Sequence, residues 1–236
     1  LFVVDEAHLV TSWGRDFRVD YWFLGDYIEK TRRGSYYTKE KSMQFPVLCL
    51  TATAVFGGTD DVIGELQKSL NLSCLSENIF FGSVRRDNPS HSIGFKIDVV
   101  GEKKFNTNKE EKINLACSKI IKFIESEKKA IIYFPYVSQI EDVYKKIREL
   151  RPEYSNKIER YSGSGMDKFE KNESYERFRI SKVSVMLATK AFGMGINIPD
   201  VDIVYHFAPT GTLADYVQEI GRAARQVDKG YAVADY

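Results

Sequence analysis

The 236-residue chain is poor in cysteine, tryptophan and proline, with three, two and six of each. Cys49, Cys74 and Cys117 lie far apart and form no C-x-x-C pair, which argues against a disulfide framework and against a cysteine-rich zinc site. A reducing compartment is the expectation that follows. No sign of charge dominates: 34 basic and 33 acidic residues leave a formal charge of +1. No global field draws such a chain to nucleic acid, so any such contact must be local. No apolar run approaches the roughly 20 residues of a membrane-spanning helix, and no signal peptide precedes the first apolar segment. No two glycines stand five residues apart, so the phosphate-gripping pattern G-x-x-x-x-G-K-[ST] is not in this chain. An initiating methionine is missing too, and the opening LFVVD reads as a buried strand cut from something longer.

What is present is an alternation of short apolar runs with helical patterns, the order that builds an α/β fold of parallel sheets with crossover helices. Strands are expected near Leu1–Val4, Val47–Leu50, Ile93–Val99, Ala130–Phe134, Ile158–Tyr161, Val183–Ala188, Ile203–Phe207 and Tyr231–Ala234. Helices are expected near Tyr21–Glu29, Asp60–Leu70, Glu110–Ser126, Ser138–Leu150, Asp167–Ile180 and Leu213–Ala224. Ile113, Ala116, Cys117, Ile120, Ile121 and Ile124 recur at three- and four-residue steps and give their helix a core face. Arg85–Ser92 has no periodicity and suits a domain crossing, dividing residues 1–88 from 89–236. Lys30–Phe45 and Gly101–Lys112 read as solvated loops, although the first, with Tyr36 and Tyr37, could touch a nucleic-acid backbone.

Chemistry-bearing residues begin at VVDEAH. A parallel strand that ends in an acid delivers its carboxylate to the carboxyl edge of the sheet, where α/β folds bind phosphates. Asp5 would there hold Mg²⁺ through water, and Glu6 would polarise an attacking water. The loop LVTSWGRDFRVDY sets Trp13, Phe17, Tyr21 and Trp22 among Arg15 and Arg18, which suits base stacking and phosphate contact with a single strand. Core packing of the aromatics is the competing reading.

These residues resemble helicase motif II and the aromatic-rich loop of the RecQ family of superfamily 2 DNA helicases. LTATA (Leu50–Ala54) resembles motif III and AIIYF (Ala130–Phe134) motif IV. ATKAFGMGINIPDVDIVYHF resembles motif V, and QEIGRAAR (Gln218–Arg225) motif VI. The order is the family's order, and the likeness runs essentially from end to end. Hydroxyls of Thr51 and Thr53 can bond the carboxylates of Asp5 and Glu6 or partner groups opposite. Gly193 and Gly195 permit close backbone approach to a phosphate or a neighbouring loop, and Asn197 can bond a ribose or bridge to the first lobe. Arg222 and Arg225, three apart on an expected helix, would share a face. The resemblance implies that Arg225 is the arginine finger, with Arg222 in support and Gln218 a γ-phosphate or interlobe contact.

The resemblance implies tandem RecA-like lobes, the first truncated at its N-terminus, and an ATP- and Mg²⁺-dependent 3′-to-5′ DNA translocase. It further implies single-stranded or forked DNA as partner, a monomeric motor, no zinc in this stretch and a cytoplasmic, nucleoid or nuclear place. Without the phosphate loop, this stretch alone is expected not to hydrolyse ATP efficiently. Two alternatives stand beside this: a non-catalytic DNA-binding scaffold, and an RNA helicase of the same superfamily. Departures from the family pattern are Arg15 for a histidine, Pro135 and Tyr136 for small polar residues, Ser162 for a histidine, and Ala224 and Gln226 for a glycine and an acid.

Overall fold

A computed structural model describes residues 1–10, 20–34, 45–52, 61–82, 92–98, 109–193 and 196–235. The chain divides into two compact units, Leu1–Arg85 and Arg86–Tyr236.

In the first unit, strands β1 (Phe2–Val4) and β2 (Val47–Cys49) pair in parallel. Helix α1 (Asp20–Arg33) and helix α2 (Val62–Ser69) complete it. Asp61 caps α2 by accepting from the amides of Ile63 and Gly64, which satisfies donors that the first helical turn leaves open. The core gathers Val4, Ala7 and Val10 from the β1 side with Ile28, Leu66 and Leu70 from the helices.

The second unit is a six-stranded sheet. In chain order its elements are β3 (Ser92–Asp98), α3 (Lys109–Glu125), β4 (Ala130–Tyr133), α4 (Val137–Leu150), β5 (Ile158–Tyr161), α5 (Lys168–Arg179), β6 (Val185–Ala188), β7 (Ile203–His206), α6 (Leu213–Ile220) and β8 (Lys229–Asp235). The strand order is β3-β8-β7-β4-β6-β5, and every pair is parallel. All four residues of β4, β6 and β7 are buried, as a parallel sheet covered on both faces requires. Alternation sorts them: Ala130, Ile132, Leu187 and Tyr205 face a core with Ala116, Cys117 and Ile120 of α3 and Ile140, Val143 and Ile147 of α4. Ile131, Tyr133, Met186 and Val204 face the other, with Phe178 of α5 and Ile220 of α6. Burying a side chain such as Ile132 contributes about 1.5–3 kcal/mol, and cutting it to alanine would cost about 2–5 kcal/mol because a cavity remains.

Local signals fit these elements. Glu110 and Glu111 open α3, where the helix dipole favours acids, and Lys122 lies in its last turn. Asp167 and Glu170 form a reciprocal cap at the start of α5, at 2.8 and 2.9 Å. One expected element is corrected: the helix placed over Leu213–Ala224 ends at Ile220. Beyond it the amides of Arg222 and Ala223 bond carbonyls three residues back, Glu219 and Ile220. The amides of Ala224 and Gln226 then leave the helix for the carbonyls of Val201 and Pro199.

Candidate functional site

The motif II acids sit on a turn pinned to the next strand. Leu50 N donates to Val4 O at 2.9 Å and Ala7 N donates to Leu50 O at 2.8 Å, so Asp5 and Glu6 are bracketed by bonds to β2's exit. Glu6 takes φ 48, a left-handed conformation that costs a non-glycine residue about 1–2 kcal/mol. The bracketing bonds hold it there, and Asp5 Oδ1 accepts from Glu6 N at 2.9 Å. Asp5 is exposed and Glu6 half-buried.

Among the described residues, Thr51 meets His8. Its Oγ1 lies 2.9 Å from His8 Nδ1, and that same nitrogen lies 3.5 Å from Glu6 Oε2. His8 opens a helical turn directly after the acids, and its ring stands between the threonine hydroxyl and the glutamate. Thr53 and the loop residues Trp13, Arg15, Phe17 and Arg18 lie outside the described residues, as does Gly195.

In the second unit the motif IV residues form β4, the motif V loop follows β6, and the motif VI residues lie on α6 and the turn after it. Gly193 is a glycine for a spatial reason. A Cβ there would lie 2.8 Å from Lys190 O and 3.3 Å from the Arg222 guanidinium. The absent side chain lets Arg222 reach in, where its Nη2 donates to Gly193 O and its Nη1 to Ile196 O at 3.1 Å. Tyr133 OH donates to Phe192 O at 2.8 Å beside it. Burial holds the Tyr133 phenol far above its ordinary range, with the Arg222 guanidinium pulling the opposite way.

Because the helix has ended, Arg222 and Arg225 do not share a helical face, and this corrects the expected geometry. Arg222 is 6% exposed and braces the glycine loop. Arg225 is exposed, with Nη1 2.9 Å from Asn197 Oδ1 and Nε 3.4 Å from Gly221 O. Between them Ala224 adopts φ 55, a conformation natural to glycine, at the position where the family pattern has one.

Gln218 is half-buried in the last turn of α6. Its neighbour Glu219 places Oε2 2.7 Å from Nε2 of His206, the last residue of β7. The His206 ring stacks on Tyr133 at 5.6 Å and lies 5.1 Å from Tyr216. Sequence reasoning passed over His8, Tyr133, His206 and Glu219. The signal for the last two was a histidine ending an apolar strand and an acid beside the apolar Ile220 of α6.

Residues 111–227 match the helicase conserved C-terminal domain family. Over 238 residues the chain is 32% identical to the ATP-dependent DNA helicase Q-like 4B of Arabidopsis thaliana, covering 100% of this chain and 17% of that protein. Over 228 residues it is 30% identical to the probable ATP-dependent DNA helicase RecS of Bacillus subtilis, covering 95% of this chain and 38% of that protein. The DUF1998 helicase MrfA, solved bound to DNA and AMPPNP, shares the fold with a TM-score of 0.65 at 17% identity, over 99% of this chain and 30% of that one. Residues 111–227 thus carry a helicase conserved C-terminal domain, and over essentially its whole length the chain is similar to RecQ-type helicases, spanning well under half the length of these two relatives.

Proposed function

We propose that the chain contributes the ATP-sensing and strand-coupling parts of a RecQ-like DNA helicase that moves 3′ to 5′. The observation that carries this reading is the interlock of motifs V and VI: Arg222 fixes the Gly193 loop while Arg225 is left exposed beside Asn197. One guanidinium is buried and structural and the other is exposed. An exposed guanidinium aimed at a γ-phosphate stabilises the charge that builds during phosphoryl transfer. Gln218 and Asn197 serve the same nucleotide, and Glu6 positions the attacking water.

Asp5 suits a magnesium ion held through water. It is exposed at a strand end, with Oδ1 engaged by Glu6 N and Oδ2 open among the described residues, and magnesium prefers such hydrated carboxylate binding. The bound ion would neutralise phosphate oxygens. Residues 1–88 belong to the first RecA-like lobe and 89–236 to the second, and Trp13, Arg15, Phe17 and Arg18 sense the strand.

The test is ATP turnover by the full-length protein with matched single strands of DNA and RNA, and unwinding of duplexes with 3′ or 5′ tails. The expected result is stimulation by DNA above RNA and unwinding from a 3′ tail. DNA binding without ATP turnover would leave the scaffold reading in its place, stimulation by RNA above DNA the RNA-helicase reading, and turnover indifferent to any strand would overturn the strand-coupling role.

A further inference from the structure

Lys129 directly precedes β4, yet its side chain is only 7% exposed. Lysine is almost never buried unless it is paired. Its Nζ donates to Asp200 Oδ1 and Oδ2 at 2.8 and 2.9 Å, to Ser181 Oγ at 3.0 Å and to Arg179 O at 3.4 Å, and it lies 4.9 Å from the centre of the Phe178 ring. We infer that this ion pair positions the motif VI arginine: Lys129, through Asp200, sets where Arg225 stands. The inference rests on the reading of Arg225 above and names what holds it in place.

Residues 199–202 belong to no strand or helix, so their place is set by the bonds they make. On one side Lys129 clasps them. Besides the contact with Asp200, Lys129 N donates to Asp202 Oδ2 at 2.9 Å, and Lys129 O accepts from Asp202 N at 2.9 Å. On the other side Pro199 O accepts from Gln226 N at 2.9 Å, and Val201 O accepts from Ala224 N at 3.1 Å. Asp200 is therefore the residue between the two acceptors, and Arg225 the residue between the two donors. The Arg225 side chain returns to the same stretch of chain, with Nη1 2.9 Å from Asn197 Oδ1. Ala224 shows that the turn is held in shape, because its φ of 55 is a value that a residue with a Cβ keeps only when its surroundings impose it.

The energetics favour a role in geometry over one in bulk stability. The Asp200 side chain is 44% exposed, so water damps the attraction, while Lys129 bears the full cost of leaving water. An apolar side chain of similar size at position 129 would fill the same space without demanding an acid. What the lysine adds is that its charge is satisfied only when Asp200, and with it the acceptors on either side, is in place. Placement is what a charge-stabilising arginine needs, since a shift of about 1 Å at a reacting group can cost about a hundred-fold in rate.

The experiment is calorimetric titration of the full-length protein, with Mg²⁺ and single-stranded DNA present, by ADP and by ADP–aluminium fluoride, whose fluoride group imitates a phosphoryl group in transfer. Only the second ligand presents the charge that Arg225 would meet. Asp200→Ala and Lys129→Met should each weaken the analogue about ten-fold, a partial displacement of the arginine, while ADP affinity and the number of sites hold. Asp200→Asn, which keeps an oxygen for Lys129 Nζ, should bring the analogue back to within about three-fold of wild type. In an Arg225→Ala background Lys129→Met should cost nothing further, because both changes act through one group; this variant carries the test if Asp200→Ala does not fold. Equal losses on both ligands, a further loss in the Arg225→Ala background, or wild-type affinity for the analogue in Lys129→Met would overturn the positioning pair alone. Wild-type affinity for the analogue in Arg225→Ala itself would overturn the reading of Arg225 and the pair with it.

Discussion

The side-chain oxygen of Asn197 lies 2.9 Å from Nη1 of Arg225, which ties the exposed motif VI arginine to the loop that follows Gly193. Three residues earlier, Arg222 is buried and spends its donors on backbone carbonyls. Two arginines that look equivalent in the sequence therefore separate into an exposed group and a buried brace, and substitutions should separate them in the same way.

Arg225→Ala in the full-length protein should lower DNA-stimulated ATP turnover about a thousand-fold, the lower end of an arginine finger's worth. The side chain is exposed, so the thermal midpoint should hold within the small range of surface substitutions. Steady-state ATPase with nucleotide binding measured separately checks this. Wild-type turnover would remove Arg225 from the reaction.

Arg222→Ala should instead unfold the second unit more easily. The half-buried carbonyls of Gly193 and Ile196 would lose their donor, at about 1 kcal/mol each. Lysine should not substitute, because one ammonium cannot reproduce the two-pronged fork that spans both carbonyls. Urea titration of the two variants gives the comparison, and a midpoint equal to wild type would refute the brace.

Cys117 gives a pH dependence with a definite sign. Burial pushes its thiol from 9.0 up to about 11. As pH rises from about 9 to about 11, the unfolded chain releases a proton that the folded chain retains, so stability falls. Below about 9 both states hold the proton and this contribution is fully present. Tyr133, raised by burial, pushes in the same direction at higher pH. Urea midpoints at pH 8, 10 and 11 should fall less steeply for Cys117→Ala than for wild type; parallel curves would show that the thiol is not responsible.

Most of the architecture was legible in the sequence, since β4, β6 and β7 are unbroken apolar runs and α3 repeats its apolar residues at helical spacing. The end of α6 was not legible. Leu213–Ala224 contains no proline, and its glycine, Gly221, still has helical angles. The break comes from tertiary bonds of Ala224 N and Gln226 N to Val201 and Pro199, which no local propensity reports. Likewise the sequence left the Thr51 hydroxyl to bond either the acids or partner groups opposite, and did not show His8 as its neighbour. The interposed His8 ring depends on how the turn after Glu6 points, and that is fixed by Ala7 N reaching Leu50 O.

His206 and Glu219 carry the last prediction. The pair is buried, and Glu219 sits one residue past Gln218 and three before Arg222, so it fastens the start of the motif VI turn to the end of β7. His206 Nδ1 is buried without a hydrogen-bond partner among the described residues, so the ring's orientation depends on the bond at Nε2 and on its contacts with Tyr133 and Tyr216. Glu219→Ala would leave the imidazole with both nitrogens unmet, and removing one member of a buried pair costs about 3–5 kcal/mol. Glu219→Gln keeps an acceptor at the same reach and should lose only the charge assistance, about 1 kcal/mol. If the pair positions the turn, Glu219→Gln in the full-length protein should lower kcat more than it raises KM for ATP, with the fold intact by circular dichroism. Equal destabilisation by alanine and glutamine would show that the hydrogen bond to His206 is not what holds the turn.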